Sequence, residues 1–332
     1  MRAAVNTDYG PPEVVRVADV PRPEPAGDEV LVHVRATTVN RTDCAYRAAR
    51  PWFMRTFTGL RRPRRTILGT EYAGDVVAVG NRVTSFGLGD RVFGYCEGRF
   101  GAHAELLAVP ETSSMARIPE GIGLDLAAAS TEGAHYARSA IRRARVKPGE
   151  RVLVNGATGG IGSAAVQLLA HLGARVTAVC ASEHDELVRR LGAEQVVDRF
   201  TEDFTARPER YDVVLDAVGK STFGRCRRTL LPGGRYVSTG LGPGWQNLPL
   251  SVLTPLLSSR LWGGRRVVFP FPEDGRHVVE EIGTLLASGA LVPAIDQRYE
   301  LDAIVEAYRY VETGEKVGNV VIHLEPASYT ER

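Results

Sequence analysis

The chain has 332 residues, a formal net charge of +2, 44% apolar and 24% charged residues. This length suits one large or two medium domains of ordinary globular composition. The small net charge argues against a general nucleic-acid binder. No apolar run reaches bilayer length, so no integral membrane segment is expected. Cys44, Cys96, Cys180 and Cys226 are scattered, with neither a disulfide framework nor a CxxC pair. The first fifteen residues, MRAAVNTDYGPPEVV, lack the apolar core of a signal peptide, and a reducing cytoplasmic setting is expected.

In chain order, residues 1 to about 125 read as a β-rich domain. Strands are predicted at Arg2–Val5, Val14–Val20, Glu29–Thr38, Glu71–Val79, Arg91–Tyr95 and Ala102–Val109, separated by turn clusters. Pro21, Pro23 and Pro25 mark a rigid turn. One helix is predicted from about Leu124 through DLAAASTEGAHYARSAIRRA, ending before the Pro148-Gly149 turn.

The stretch from Arg151 to Cys180, RVLVNGATGGIGSAAVQLLAHLGARVTAVC, reads as strand, glycine turn, helix and strand. Parallel strands need such a crossover. The glycines let the backbone approach a pyrophosphate at a helix start, and strand before and helix after are the context of a dinucleotide site. Alternation then continues: a helix at Glu183–Leu191, strands at Gln195–Asp198 and Tyr211–Leu215, a helix over Thr222–Leu231 stopped by Pro232-Gly233-Gly234, and strands at Arg235–Ser238 and Arg266–Phe269. That alternation implies a doubly wound parallel sheet. A helix at His277–Ala287, a strand at Gln297–Tyr299, a helix at Asp302–Thr313 and a strand at Asn319–Leu324 return to the first domain.

Several markers in this order carry a family resemblance: Leu68-Gly69-Thr70-Glu71-Tyr72-Ala73-Gly74, Gly89-Asp90-Arg91-Val92-Phe93-Gly94, Val146-Lys147-Pro148-Gly149-Glu150, the glycine turn, Leu191-Gly192-Ala193, Asp216-Ala217-Val218-Gly219 and Gly318-Asn319-Val320-Val321. Over almost its whole length the chain resembles the medium-chain dehydrogenase/reductase family, in its zinc-free quinone-oxidoreductase branch. The resemblance implies an α/β chain in which a Rossmann domain, residues 126–272, is inserted in a discontinuous GroES-like β-rich catalytic domain, residues 1–125 and 273–332. It also implies a cleft between them and a homodimer that pairs Rossmann edge strands.

Zinc-using relatives carry a Cys-containing segment and a Gly-His-Glu motif. The corresponding stretches here are Val39-Asn40-Arg41-Thr42-Asp43 and Gly69-Thr70-Glu71, without the Cys and with Thr70 in place of the His, so no metal is expected. His103 and Glu105 on one predicted strand face offer too few ligands.

An NAD-specific site usually has an acid at the end of its second strand. Cys180 stands there instead, with Ser182 and Arg199 nearby, and the expected cofactor is NADPH. Glu183 and Asp185 lie close enough that a surface Arg199 and a helix-capping Ser182 stay open. By resemblance, Gly159, Gly160 and Ile161 line the pyrophosphate, Val218 and Gly219 lie over a ribose, and Thr239, Gly240 and Leu241 lie near the nicotinamide. Asn40 faces the nicotinamide, and Asn319 returns to the cofactor from the tail.

Without a metal to polarise an alkoxide, the expected reaction is hydride transfer from NADPH to a small, hydrophobic, electron-poor acceptor, a quinone or an α,β-unsaturated carbonyl. Tyr46, Tyr72 and His135 are the candidate proton donors; solvent could serve instead, and His135 could equally pack or bond Glu132. The stretch Arg47–Arg65 carries seven arginines and no acid, with Trp52, Phe53 and Phe57 interleaved. It reads as a solvated basic loop, or as a lid for an acceptor with an anionic tail, or as a membrane-surface element. Trp245, the 250–257 stretch and the 269–271 stretch shape either a pocket or the dimer edge. The alternatives to a reductase are an NADPH-binding sensor or interaction protein and an alcohol dehydrogenase.

Overall fold

The computed structural model describes residues 1–324. The chain divides into two compact units, Met1–Glu132 together with the segment from Asp274 onward, and Gly133–Glu273. Residues 325–332, the end of the expected returning segment, lie outside the described residues.

The first unit opens with β1 (Arg2–Asn6) and β2 (Val15–Asp19), an antiparallel pair, then β3 (Glu29–Val39), helix α1 (Arg41–Ala48), a single turn α2 (Arg55–Thr58), β4 (Glu71–Val79), β5 (Arg91–Tyr95), β6 (Leu106–Pro110), β7 (Met115–Arg117) and α3 (Leu124–Ala128). Asn40 sets the start of α1. Its side chain accepts from the Asp43 amide while the Asp43 carboxylate accepts from the Asn40 amide, so two otherwise orphaned helix-end donors are satisfied.

The chain then enters the second unit. It holds all but the first two residues of α4 (Thr131–Ala144), then β8 (Arg151–Asn155), α5 (Gly160–His171), β9 (Arg175–Cys180), α6 (Asp185–Arg190), β10 (Gln195–Asp198), β11 (Tyr211–Asp216), α7 (Phe223–Cys226), β12 (Leu230–Ser238), α8 (Asn247–Leu261) and β13 (Arg266–Val268). Among the described residues these six strands form one parallel sheet in the order β10-β9-β8-β11-β12-β13. The order reverses beside β8, which makes the crevice at its carboxyl end the ligand position of an open α/β sheet. Leu153, Val179, Val197, Val214, Tyr236 and Val267 are among the residues of its core.

The returning segment adds α9 (Arg276–Ala287), β14 (Ile295–Glu300), α10 (Ile304–Thr313) and β15 (Asn319–His323) to the first unit. β15 lies antiparallel to β3 and parallel to β14, giving the order β14-β15-β3-β4-β5-β7 with β6 also on β3. Val32, Val34, Tyr72, Val92, Met115, Tyr308 and Ile322 lie in its core. Each fully buried aliphatic side chain contributes about 1.5–3 kcal/mol relative to exposure.

The structure departs from the sequence reading at several places. The single helix expected from Leu124 is two helices: the Ser130 hydroxyl donates back to the Ala127 carbonyl at 2.8 Å, and α4 restarts at Thr131. The helix expected over Thr222–Leu231 is only Phe223–Cys226, because Leu230 already pairs with Tyr211. Pro232, Gly233 and Gly234 do not end a helix but sit in a bulge of β12, where a missing donor and open backbone are tolerated. The strand expected at Ala102–Val109 starts only at Leu106. The sequence reading contains no counterpart of α1, β7 or α8; α8 carries Pro255 inside it, a residue that normally argues against a helix interior. Among the described residues no helix is long and apolar enough to cross a membrane.

Candidate functional site

The glycine turn after β8 is shaped by its neighbours. Gly156 has φ +79°, and a Cβ there would run into the Val218 side chain; a Cβ at Gly162 would run into the Gly156 carbonyl. Gly159 differs. It has ordinary helix-entry geometry, and a Cβ would meet nothing nearer than the Gly156 carbonyl at 3.7 Å. No protein neighbour requires glycine there, and its absent side chain leaves the backbone open to close approach. The first intrahelical bond runs from the Ser163 amide to the Gly159 carbonyl at 2.8 Å, so Gly160 and Ile161 lie in the anion-attracting first turn of α5.

Asp216 ties the strand ends together. Its carboxylate accepts from Asn155 Nδ2 (2.9 Å), the Ser221 amide (2.8 Å), Tyr236 Oη (3.1 Å) and the Val218 amide (3.4 Å), and its carbonyl accepts from the Thr239 amide at 3.2 Å. Val218 is exposed over the turn. Gly219 and Gly240 pack backbone to backbone, with a Cβ on either one meeting the other's Cα within 3.4 Å. Asn247 donates to the Gly240 carbonyl at 2.8 Å, and Leu241 is half-buried.

A cavity of about 450 Å³ opens beside these strand ends, lined by Asn155, Val179, Arg199, Phe204, Lys220 and Arg225 among others. Cys180 ends β9, buried, its thiol pushed up to about 11 by burial. Its carbonyl accepts from the Arg199 amide at 2.8 Å. Two acids of this region are already paired: Asp203 with Arg225 at 3.4 Å, and Glu202 with Arg207 at 2.9 Å. With those acids neutralised, Arg199, stacked at 4.5 Å over the Phe200 ring, and exposed Lys220 have no carboxylate partner among the described residues. Asp198 lies close by. The Phe200 amide holds its carboxyl below the usual range, with Ser182 among its other donors. The Ser182 hydroxyl is therefore engaged by Asp198.

The first unit holds a polar cluster of its own. Asn40 Nδ2 donates to the Thr70 hydroxyl at 2.6 Å, and both residues are buried. Asp43 accepts from the Gly69 amide at 3.0 Å, and burial pushes its carboxyl up to about 8. His103 Nε2 donates to the Thr38 carbonyl at 2.8 Å, which leaves Nδ1 to accept from Tyr308 Oη at 3.3 Å; burial lowers this histidine to about 4. Glu105 accepts from the Arg2 amide, so His103 and Glu105 are held by separate protein partners. Among the described residues no three His, Cys, Asp or Glu side chains are grouped to hold a metal ion.

Family models match both parts of the chain: an alcohol dehydrogenase GroES-like domain over residues 26–120 and a zinc-binding dehydrogenase over 191–322. A 2-methylene-furan-3-one reductase of Solanum lycopersicum is 30% identical, over 98% of this chain and 80% of the relative. An NADPH-dependent alkenal/one oxidoreductase of Arabidopsis thaliana, chloroplastic, is likewise 30% identical over the same shares. The solved quinone oxidoreductase of Coxiella burnetii superposes with a TM-score of 0.87 at 25% identity, over 98% of this chain and 99% of that one. The chain belongs to the medium-chain dehydrogenase/reductase family, in its quinone-oxidoreductase branch.

This dehydrogenase/reductase is thus a nicotinamide-dependent oxidoreductase. Although one matching model is described as zinc-binding, the donors at Asn40 and Thr70 do not fit a zinc ion: an amide and a hydroxyl are spent on each other.

The candidate proton donors are dispersed. Tyr46 is half-buried on α1, its ring 4.5 Å from Phe100. Tyr72 is enclosed in the core, its hydroxyl without a hydrogen-bond partner among the described residues, so this phenol would need the core to open before it met an acceptor. His135 is buried, with Nε2 bonded to the Glu273 carbonyl at 2.9 Å. Asn319 spends its side-chain amide on the Ala294 carbonyl at 3.1 Å. Arg47 leaves the basic stretch altogether: it is buried, pairs with Glu312 and lies over Tyr308. Arg50, Arg55, Arg61 and Arg62 of that stretch, with Trp52, Phe57 and Leu60, are exposed, and Tyr9 anchors it through Thr58 and Gly59.

Sequence reasoning misses Lys220, Arg225, Glu71, Glu132 and Lys316. Lys220 follows the Asp216-Ala217-Val218-Gly219 marker directly, which is the available signal. The Glu71–Glu132 contact joins residues sixty-one apart and leaves no local signal.

Proposed function

We propose that this protein is an NADPH-dependent reductase that delivers hydride, without a metal, to an α,β-unsaturated carbonyl or a quinone. The observation that carries the reading is the Asn40–Thr70 hydrogen bond, which occupies the positions a zinc site would need. Without a Lewis acid, alcohol oxidation lacks its usual alkoxide stabilisation, whereas an already electrophilic acceptor needs chiefly to be positioned. The names of the tomato and Arabidopsis relatives support the acceptor class. When bound, the dinucleotide supplies the hydride.

The preference for NADPH rests on Cys180, an uncharged residue where a carboxylate would repel a 2′-phosphate, and on the uncompensated cations Arg199 and Lys220 beside the cavity. They outweigh the single charge of Asp198. Gly159, Gly160 and Ile161 hold the pyrophosphate. A homodimer fits the edge position of β13 and the exposed Val252, Leu253, Leu256, Leu257 and Leu261 of α8.

The test is oxidation of NADPH and NADH by a panel of enones and quinones, with metal content measured on the same preparation. Turnover favouring NADPH with no stoichiometric metal is expected. Tight NADPH binding with no turnover on any acceptor would overturn the reductase in favour of a binding protein, and stoichiometric zinc would favour an alcohol dehydrogenase.

A further inference from the structure

The basic stretch after α1 is a folded element of the first unit. Residues 52–58 are helical, and the chain then turns back, with the Arg64 amide bonded to the Thr58 carbonyl at 2.8 Å. Gly59 makes the reversal at φ +128°, where a Cβ would run into the Arg62 carbonyl. Tyr9 pins the turn by donating to the Gly59 carbonyl at 2.8 Å, and the Asn6 amide holds its far end through the Thr66 carbonyl at 2.8 Å. Seven helical residues span on the order of 10 Å, so the stretch from Arg50 to Arg65 is confined to one small area.

Two properties meet there. Arg50, Arg55, Arg61, Arg62, Arg64 and Arg65 are all exposed, and the stretch has no acid. Arg62 has a loose ion pair with exposed Asp8 at 3.5 Å, and Arg55 lies over the Tyr9 ring at 5.1 Å. The other four arginines have no carboxylate partner among the described residues. The whole chain carries a formal net charge of only +2, so the rest of the molecule is net acidic. An anionic plane therefore orients the protein with this stretch toward it. The second property is apolar. Trp52 and Phe57, each 76% exposed, are the two most exposed large apolar side chains among the described residues, and Leu60 is 70% exposed. Apolar groups held in water and rimmed by cations mark an interaction surface.

We propose that this stretch docks the protein on anionic lipid bilayers, with its guanidinium groups on headgroup phosphates and Trp52, Phe57 and Leu60 in the interfacial layer. Guanidinium matches phosphate geometry, and tryptophan favours the headgroup level, where one end of the ring is apolar and the other wet. Leu60 favours a bilayer over a polynucleotide: aromatic rings stack on bases, but a leucine has no ring to stack, whereas all three side chains gain from an acyl boundary. The protein lies on such a surface and does not span it. The proposal does not rest on the reductase reading, although apolar acceptors collect in the same layer.

Sedimentation of the full chain with vesicles tests this, using phosphatidylcholine alone and equal parts phosphatidylcholine and phosphatidylglycerol. Binding is expected to the second kind only, and should fall steeply as salt rises from about 0.05 to about 0.5 M. Each arginine near an anionic surface strengthens partitioning about fivefold. Arg61→Gln, Arg62→Gln, Arg64→Gln and Arg65→Gln together should therefore weaken binding by about 10²-fold or more. Trp52→Ser, Phe57→Ser and Leu60→Ser together should weaken it by about tenfold or more and leave its salt dependence in place. Wild-type tryptophan emission should shift to the blue on anionic vesicles, and that of Trp52→Phe should not. All the substituted side chains are exposed, and the wild-type sedimentation, salt dependence and emission decide even if a variant misfolds. No binding to anionic vesicles, or equal binding by the arginine variant, overturns the proposal. So does an unshifted wild-type emission or equal binding by the apolar variant, since either means charge attraction alone. Retention of single-stranded DNA without vesicle binding would mark a polynucleotide surface instead.

Discussion

Asn40 and Thr70 are joined at 2.6 Å by a hydrogen bond that neither can replace with water, because both are buried. Thr70→Val keeps the shape and strands the Asn40 amide. A loss of about 1–3 kcal/mol is expected, the cost of one unsatisfied buried donor, read from urea unfolding. Dialysis against a chelator should leave reductase activity unchanged; loss of activity restored by zinc would contradict the metal-free reading.

Gly159 and Gly162 should separate ligand effects from folding effects. Gly159→Ala has room in the protein, and as a helix N-cap change should cost about 1 kcal/mol or less. It should nonetheless weaken nicotinamide-dinucleotide binding by about tenfold or more in a titration, because the added methyl holds the pyrophosphate off the backbone. Gly162→Ala drives a Cβ into the Gly156 carbonyl and should lower thermal stability outright.

Reversing the charges beside the cavity should change cofactor choice. Arg199→Glu and Lys220→Glu together should lower the NADPH-to-NADH ratio of kcat/KM by about 30- to 1,000-fold, since each lost phosphate contact is worth on the order of 1–2 kcal/mol. An unchanged ratio would place the 2′-phosphate elsewhere.

His103 and Asp43 give stability opposite pH dependences. His103 titrates at about 4 folded against 6.5 in its ordinary state, so the unfolded chain takes up the proton first and stability is lost as pH falls from 6.5 to 4. That shift corresponds to about 3 kcal/mol at most. Asp43 titrates at about 8 against 3.8, so the folded chain keeps its proton longer and stability is lost as pH rises from 3.8 to 8. The two slopes oppose each other below 6.5, and Asp43 acts alone above it. Thermal melts of His103→Gln should lose the acid-side decline, and those of Asp43→Asn the decline between 6.5 and 8.

Charge placed on the exposed face of α8 should report on self-association. Val252→Glu with Leu256→Glu should yield a monomer by light scattering if the face is a dimer contact, with little change in the unfolding of each unit, since both side chains are exposed.

The elements read best from sequence are those whose signal is local. β5 and β10 have the predicted limits, because their β-branched runs end at turn residues. The Gly156–Gly162 turn is legible because strand and helix flank it. Misreadings cluster where a distant partner decides: Leu230 is strand because Tyr211 pairs with it, and α8 persists around Pro255 because Thr254 Oγ1 accepts from the Val267 amide at 2.8 Å.

Residue identity within short motifs was enough to predict a dinucleotide turn. Through the family resemblance it also set Cys180, Asn40 and Thr70 at positions where relatives carry charged or metal-binding residues. No such motif announces that Asn40 is bound to Thr70, that Lys220 joins Arg199 at one cavity, or that Glu132 meets Thr42 and Glu71; the folded chain settles those. Hydrogen bonds and buried charges act over a few ångströms of space, and the chain brings those groups together only when its sheets close.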